Sequence, residues 1–194
     1  MARTGRRPGD SGTREAILDA ARETFADKGF AAASVRAIAT RAEVDAALVH
    51  HYFGTKTDLF VAAMELPFDP AAVVPALLEP GIDGLGERIV RFFLGVWAQP
   101  VPRARIQAIL RSALTEETGA ALLRDFVTTE VLGRVAAALG TPDAELRATL
   151  VGTQLVGLGV LRYIVRVEPL ASADADAVVA AVAPTIQRYL TGEL

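Results

Sequence analysis

The chain has 194 residues, of which 52% are hydrophobic, 6% aromatic and 22% charged, with a formal net charge of −3. It holds no cysteine and two histidines, which excludes a disulfide framework, a zinc knuckle, a thiol nucleophile and a multi-histidine metal site. That length suits one domain or two small ones, and the excess of alanine, leucine and valine favours helix.

Residues 1–12 carry Arg3, Arg6, Arg7 and three glycines and read as a disordered basic arm. Thr13 is expected to cap a first helix, with Ile17, Ala21 and Phe25 on one stripe and Lys28-Gly29 at its end. Ser34 caps a second, short helix that turns Val35, Ile38, Ala39 and Ala42 inward. Asp45 caps a third, running to about Phe53. Gly54-Thr55 breaks the chain, and a fourth helix follows with Leu59, Phe60 and Ala63 inside. Prolines 67, 70, 75 and 80 punctuate the next stretch, with a short helix from Asp69-Pro70 to about Leu78.

Five further segments have helical period. The first is the stripe Leu85, Ile89, Phe92, Phe93 and Val96, ended by Pro100 and Pro102. Residues 103–115 and 118–139 follow, the latter capped by Gly140. A long helix is expected over 143–167, stopped by Pro169. The last spans 174–191 and is kinked by Pro184, which displaces the carbonyl of Ala180. No strand alternation or internal repeat is present. The longest uncharged apolar stretch near the C-terminus, Ala148 to Leu161, has 14 residues against the roughly 20 a bilayer needs. No apolar run follows the basic N-terminus, so no signal peptide is expected, and a cytoplasmic protein without a membrane partner is the expectation.

Residues 34–53 carry the functional signal. Two short helices joined by a three-residue turn place Ile38 and Ala39 in the first, Val44 in the turn and Val49 ten residues after Ala39. Ala39 is small because the second helix crosses closely over it, Val44 plugs the turn, and Val49 anchors the second helix. This is the apolar skeleton of a helix-turn-helix, whose second helix presents its outer face to a DNA major groove.

The run Val44-Asp45-Ala46-Ala47-Leu48-Val49-His50-His51-Tyr52-Phe53-Gly54-Thr55-Lys56-Thr57-Asp58-Leu59 resembles the signature of the TetR/AcrR family of bacterial repressors. The upstream segments Phe25-Ala26-Asp27-Lys28-Gly29-Phe30 and Ser34-Val35-Arg36-Ala37-Ile38-Ala39 are similar to the same family, so the resemblance covers residues 13–64. It implies an all-α fold: a three-helix helix-turn-helix DNA-binding domain over 13–58, and a helical ligand-binding and dimerisation bundle over 59–194. Double-stranded DNA, a second copy of the chain and a small-molecule effector are the implied partners, with no cofactor and no metal. Lys56 is implied to bind a backbone phosphate together with the amides at the start of its helix. Tyr52 and His51 fall where the family places phosphate and groove contacts, and His50 where it usually has a tyrosine. Arg36 falls near a base or the adjacent backbone, and Asp45, Ala46, Ala47 and Leu48 form the leading edge of the recognition helix. Glu43 stands where the family commonly has glycine, at a cost on the order of 1 kcal/mol for a left-handed residue.

His50 and His51 point about 100° apart on a helix, so they do not chelate one metal. Residues 1–65 hold nine Arg/Lys and nine Asp/Glu, the remainder 11 and 14, so a DNA-binding unit needs its cations clustered. Arg3, Arg6, Arg7, Arg14, Arg36, Arg41 and Lys56 are expected on the groove side, with Asp10, Asp19, Glu23 and Asp27 facing away. In the bundle, Phe92, Trp97 and Phe126 are candidate pocket walls, and Arg91, Arg111, Gln154 and Arg162 candidate polar anchors. Val151, Leu155, Leu158, Val178, Val182 and Ile186 are the candidate dimer face, on two helices per subunit. With no cysteine, glycine-rich phosphate loop or nucleophile elbow, an enzyme is not expected. The expected function is a homodimeric repressor on a palindromic operator, released by a small molecule. The alternative is a helix-turn-helix protein without an effector, controlled by a protein partner.

Overall fold

The structure, a computed structural model, describes residues 9–141 and 143–194. Among these there is no strand, and eleven α-helices carry the fold. Helix α1 (Gly9–Ala32) begins a turn before Thr13. Of the arm expected over 1–12, Arg3, Arg6 and Arg7 therefore lie outside the described residues, while 9–12 are already helical, no proline following Pro8 to prevent it. At Gly29 the backbone leaves the helical region (φ 74°, ψ 169°), which a side chain would resist.

Local signals place the next three helices as expected. Ser34 accepts a hydrogen bond from the Ala37 amide and starts α2 (Val35–Arg41). Asp45 accepts one from the Ala47 amide and starts α3 (Ala46–Phe53). Between them Glu43 adopts φ 56°, the left-handed geometry inferred from its position. Thr55 and Asp58 form a reciprocal capping box at the start of α4 (Lys56–Ala63). Asp69 caps α5 (Pro70–Leu78), with proline at its first position.

The remaining helices are α6 (Leu85–Ala98), α7 (Pro100–Thr115), α8 (Glu117–Phe126), α9 (Gly133–Leu139), α10 (Ala144–Gly159) and α11 (Ala175–Thr191). Three expectations are corrected here. Pro100 opens α7 as well as following α6, because the first amides of a helix have no intrahelical acceptor and proline lacks one at no cost. The helix expected over 118–139 is interrupted by a π-turn at Val127–Leu132, where the side chain of Glu130 is buried and accepts a 2.7 Å bond from Arg134. The helix expected over 143–167 carries a second π-turn at Val160–Ile164, where it ends, short of Pro169, with Arg166 just beyond it in a left-handed conformation (φ 59°). Each π-turn holds one residue more than an α-turn and rotates the stripe beyond it.

Two hydrophobic cores result. The first gathers Ile17, Ala21 and Phe25 of α1, Ile38 and Ala39 of α2, Val49 of α3, and Leu59, Phe60 and Ala63 of α4. A division at residue 58 thus cuts through α4, whose buried side chains all belong to the N-terminal core. One further buried residue enters that core from far along the chain: Phe126, at the end of α8. Its ring stacks on Phe60 at 4.4 Å and meets Phe30 edge-on at 5.4 Å. The second core gathers Leu85, Val90 and Leu94 of α6, Val151 and Leu158 of α10, and Val178, Ile186 and Leu190 of α11. Helix α7 joins neither core, and none of its side chains is buried.

Candidate nucleic-acid interface

The helix-turn-helix skeleton is in place. Ala39 and Val49 are buried and Val44 packs against the same core. The amide of Val44 donates to the carbonyl of Ala39 at 3.0 Å and that of Glu43 to Thr40 at 3.2 Å, which closes the turn. With Val49 and Phe53 held inside, α3 turns Ala47, His50 and His51 outward and leaves Ala46, Leu48 and Tyr52 half-buried on its flanks. Asp45 is exposed, but its carboxylate is engaged at 2.7 Å by the Ala47 amide. It therefore serves first as the N-cap of α3. Arg36 is exposed at the start of α2 with no ion pair among the described residues.

His50 is held at two points by one glycine. The Gly54 amide donates to the His50 carbonyl at 2.8 Å, and His50 Nδ1 lies 2.7 Å from the Gly54 carbonyl oxygen. The His51 ring touches Tyr52 edge-on at 5.7 Å.

Lys56 has a different employment from the expected one. Its Nζ donates to the carbonyls of Phe30 (3.0 Å), Ala33 (3.2 Å) and Ala31 (3.3 Å) and lies 4.5 Å from the centre of the Phe30 ring. All three ammonium hydrogens are thus committed to the carbonyl end of α1, where a cation is favoured. The start of α4 is likewise occupied, by the Asp58 carboxylate on the Thr55 amide at 2.8 Å. Lys56 pins α4 to α1, and through α4 it positions the end of the recognition helix.

The charge sorting also differs in part. Arg41 pairs with Asp27 at 2.7 Å and Glu23 at 3.7 Å, because the end of α2 lies against α1, so it joins the acids it was expected to oppose. Arg14 has a second contact beyond the charge expected of it. Its guanidinium lies 5.2 Å from the centre of the Phe53 ring, at the end of α3, and no local pattern announces that contact.

The candidate ligand residues do not form one constellation. Trp97 is buried, stacks on Tyr163 at 5.2 Å and abuts Gly159. Arg162 sits 5.5 Å over the same Tyr163 ring, and its two terminal nitrogens donate to the carbonyls of Leu170 and Ala173. Trp97 Nε1 and Arg162 Nε are both buried without a hydrogen-bond partner. Phe92 is half-buried and edge-on to Phe68 at 5.4 Å, and Gln154 is half-buried on α10. The other three stand apart. Phe126 belongs to the N-terminal core, Arg111 is exposed on α7, and Arg91 is exposed and bound to Asp176 (2.6 Å) and Glu87 (2.8 Å). The Asp176 and Glu87 carboxylates raise the Arg91 pKa above its ordinary value. A cleft of about 490 Å³ opens between the two units, lined by Arg22 of α1, Arg105, Ile109 and Ser112 of α7 and Leu122 of α8.

The candidate dimer residues are corrected by burial. Val151, Leu158, Val178 and Ile186 are buried in their own protomer, and Leu155 and Val182 pack half-buried against the same core. The opposite face of α10 and its π-turn exposes Leu146, Val156, Leu161 and Ile164. An apolar helix side left in water in this way marks an interaction surface. Among the described residues no helix is long and apolar enough to cross a membrane.

Residues 17–63 match the family model described as bacterial regulatory proteins, tetR family, and residues 83–190 match the model described as tetracyclin repressor-like, C-terminal domain. A TetR-family regulator of Streptomyces coelicolor, known from a crystal structure, is 42% identical over 96% of this chain and 98% of its own, with a TM-score of 0.47. An HTH-type transcriptional repressor of Mycobacterium tuberculosis is 45% identical over 65 residues, 32% of this chain and 35% of that protein. The HTH-type transcriptional regulator BetI of Rhizobium meliloti is 38% identical over 72 residues, 34% and 36% respectively. The chain thus matches about a third of the length of these curated relatives.

Proposed function

Because this chain belongs to the TetR family of bacterial regulatory proteins, whose members are DNA-binding transcription factors and not enzymes, we propose that it is a ligand-released repressor. In this reading a two-fold homodimer holds a palindromic operator, and a small apolar or amphipathic molecule in the bundle lowers its affinity. One recognition helix of eight residues reads too few bases alone. Two of them about 34–36 Å apart meet successive major grooves on one face of the duplex.

The observation that carries the regulatory part is Phe126. A side chain of the bundle is buried in the aromatic core of the DNA-reading unit, so a displacement of α8 moves α1 and α4 with it. Helix α7 lies beside α8, has no fully buried side chain and borders the 490 Å³ cleft. It is the element that a ligand shifts at least cost. A change from 99% to 1% binding-competent protein needs about 5.5 kcal/mol of differential affinity, a little under 3 kcal/mol for each of two sites in a dimer. The exposed face of α10 with Leu146, Val156 and Leu161 supports the dimer.

Electrophoretic retardation of the DNA just upstream of the chain's own gene, with and without a protein-free small-molecule extract of the cells, tests this reading. A retarded dimer complex that the extract releases is the expected result. Retardation by a 20.5 kDa monomer, or a complex released only by a protease-sensitive fraction, would overturn it.

A further inference from the structure

His50 stands where the sequence and the fold put a reading group, and its surroundings decide which hydrogen-bonding face it shows. The Gly54 oxygen 2.7 Å from His50 Nδ1 is a backbone carbonyl and can only accept. Nδ1 therefore carries the hydrogen, and in the uncharged ring Nε2 is a bare lone pair. The ring cannot easily turn away from this arrangement. Its own backbone carbonyl accepts from the Gly54 amide at 2.8 Å, so the two peptide units flanking Gly54 hold the residue at both its backbone and its ring. Gly54 is itself fixed in a conformation that only glycine takes comfortably (φ 76°, ψ −104°). A Cβ there would stand 2.9 Å from the Asp58 carboxylate that caps α4. The capping box of α4 thus holds Gly54, Gly54 holds the imidazole, and the imidazole faces out beside Ala47 and His51.

Resting on the DNA-binding reading of α3, we propose that His50 is a specificity-determining residue that accepts, through Nε2, a hydrogen bond from a base amino group in the major groove. The amino groups available there are adenine N6 and cytosine N4, whereas guanine and thymine present only acceptors or a methyl group. On the contacted strand His50 therefore selects adenine or cytosine over guanine or thymine. A tyrosine hydroxyl, which both donates and accepts, would make no such choice.

The full chain is tested in two ways. First, nitrogen-15 NMR of the two imidazoles at pH 8, with the His50→Ala variant identifying which signals belong to His50, reports the tautomer. Nδ1–H is expected, and Nε2–H would overturn the proposal. Second, duplexes are selected from a randomised pool by wild type and by His50→Ala. At one position in each half-site the wild type is expected to demand adenine or cytosine, and the variant to lose that demand. Replacing that adenine by purine, which lacks the amino group, is expected to weaken wild type by about threefold to tenfold and His50→Ala not at all. A variant that binds every sequence more weakly by one common factor would make His50 a phosphate contact and overturn the proposal. A wild type that enriches no duplex would instead overturn the DNA-binding reading on which it rests.

Discussion

Replacing Phe126 by alanine should separate the two units of the molecule. The ring is 4% exposed, stacks on Phe60 with its plane inclined 22°, and meets Phe30 at 86°; Phe60 in turn meets Phe25 at 4.9 Å. Deleting a buried phenyl group from such a cluster costs about 3–5 kcal/mol, of which the paired ring geometry accounts for about 0.5–1.5 kcal/mol per contact beyond area. That loss falls on the N-terminal core, although the residue is carried by the bundle. The chain supplies its own reporter, because Trp97 is the one tryptophan and lies beside Phe93 and Tyr163, which pack on the second core. Urea unfolding followed by Trp97 fluorescence and by far-ultraviolet ellipticity should coincide in the wild type. In Phe126→Ala the ellipticity should begin to fall first, as the DNA-reading unit melts ahead of the bundle, and Phe126→Leu should lie between. Coincident transitions in the alanine variant, with a loss below about 1 kcal/mol, would refute the idea that this ring joins the two units.

Lys56→Met should lower the unfolding free energy by about 1–2 kcal/mol, since three charge-assisted bonds to the end of α1 are lost, and should leave the selected base sequence unchanged; thermal unfolding and duplex selection read the two effects. Val156→Glu should dissociate the dimer and leave each protomer folded, because Val156 is 54% exposed. Leu158→Glu should unfold the protomer, because Leu158 is 7% exposed; sedimentation and circular dichroism distinguish the outcomes. A hydrogen bond from Arg147 holds the Asp143 carboxyl below its ordinary range. The pair's contribution should therefore be fully present above that range and disappear as acid protonates Asp143. Arg147 also donates to the carbonyls of Tyr189 and Gly192, so Asp143→Asn should flatten the acid limb of the stability profile that the wild type shows.

The parts of this molecule that are legible in one dimension are those decided within a turn or two of helix. Ser34, Asp45 and Thr55 each accept a bond from an amide two or three residues on, so the starts of α2, α3 and α4 follow from local chemistry. Glu43 is forced left-handed by the turn it occupies. The face of α10 is different. Val151 and Leu158 lie on one side, Val156 and Leu161 on the other, and both sides are apolar. A periodic stripe says which residues share a face, yet with two apolar stripes it does not say which one the protomer keeps for itself. The π-turn at Val160–Ile164 rotates the pattern again.

Long-range pairing is hidden for a related reason. The period of α8 marks Phe126 as an inward residue, but inward toward which core depends on how α8 crosses α1, and no spacing within α8 encodes that crossing. Arg41 illustrates the same point in charge: counting cations assigns it to the groove, and the lie of α2 against α1 assigns it to Glu23 and Asp27. Lys56 directly follows the readable break at Gly54-Thr55, yet its partners Phe30, Ala31 and Ala33 are more than twenty residues back along the chain. The local code therefore specifies the reading head, because a recognition helix must be stiff before it meets DNA. The contacts between the bundle and that head run through Phe126 and α4, and they exist only once the helices have crossed.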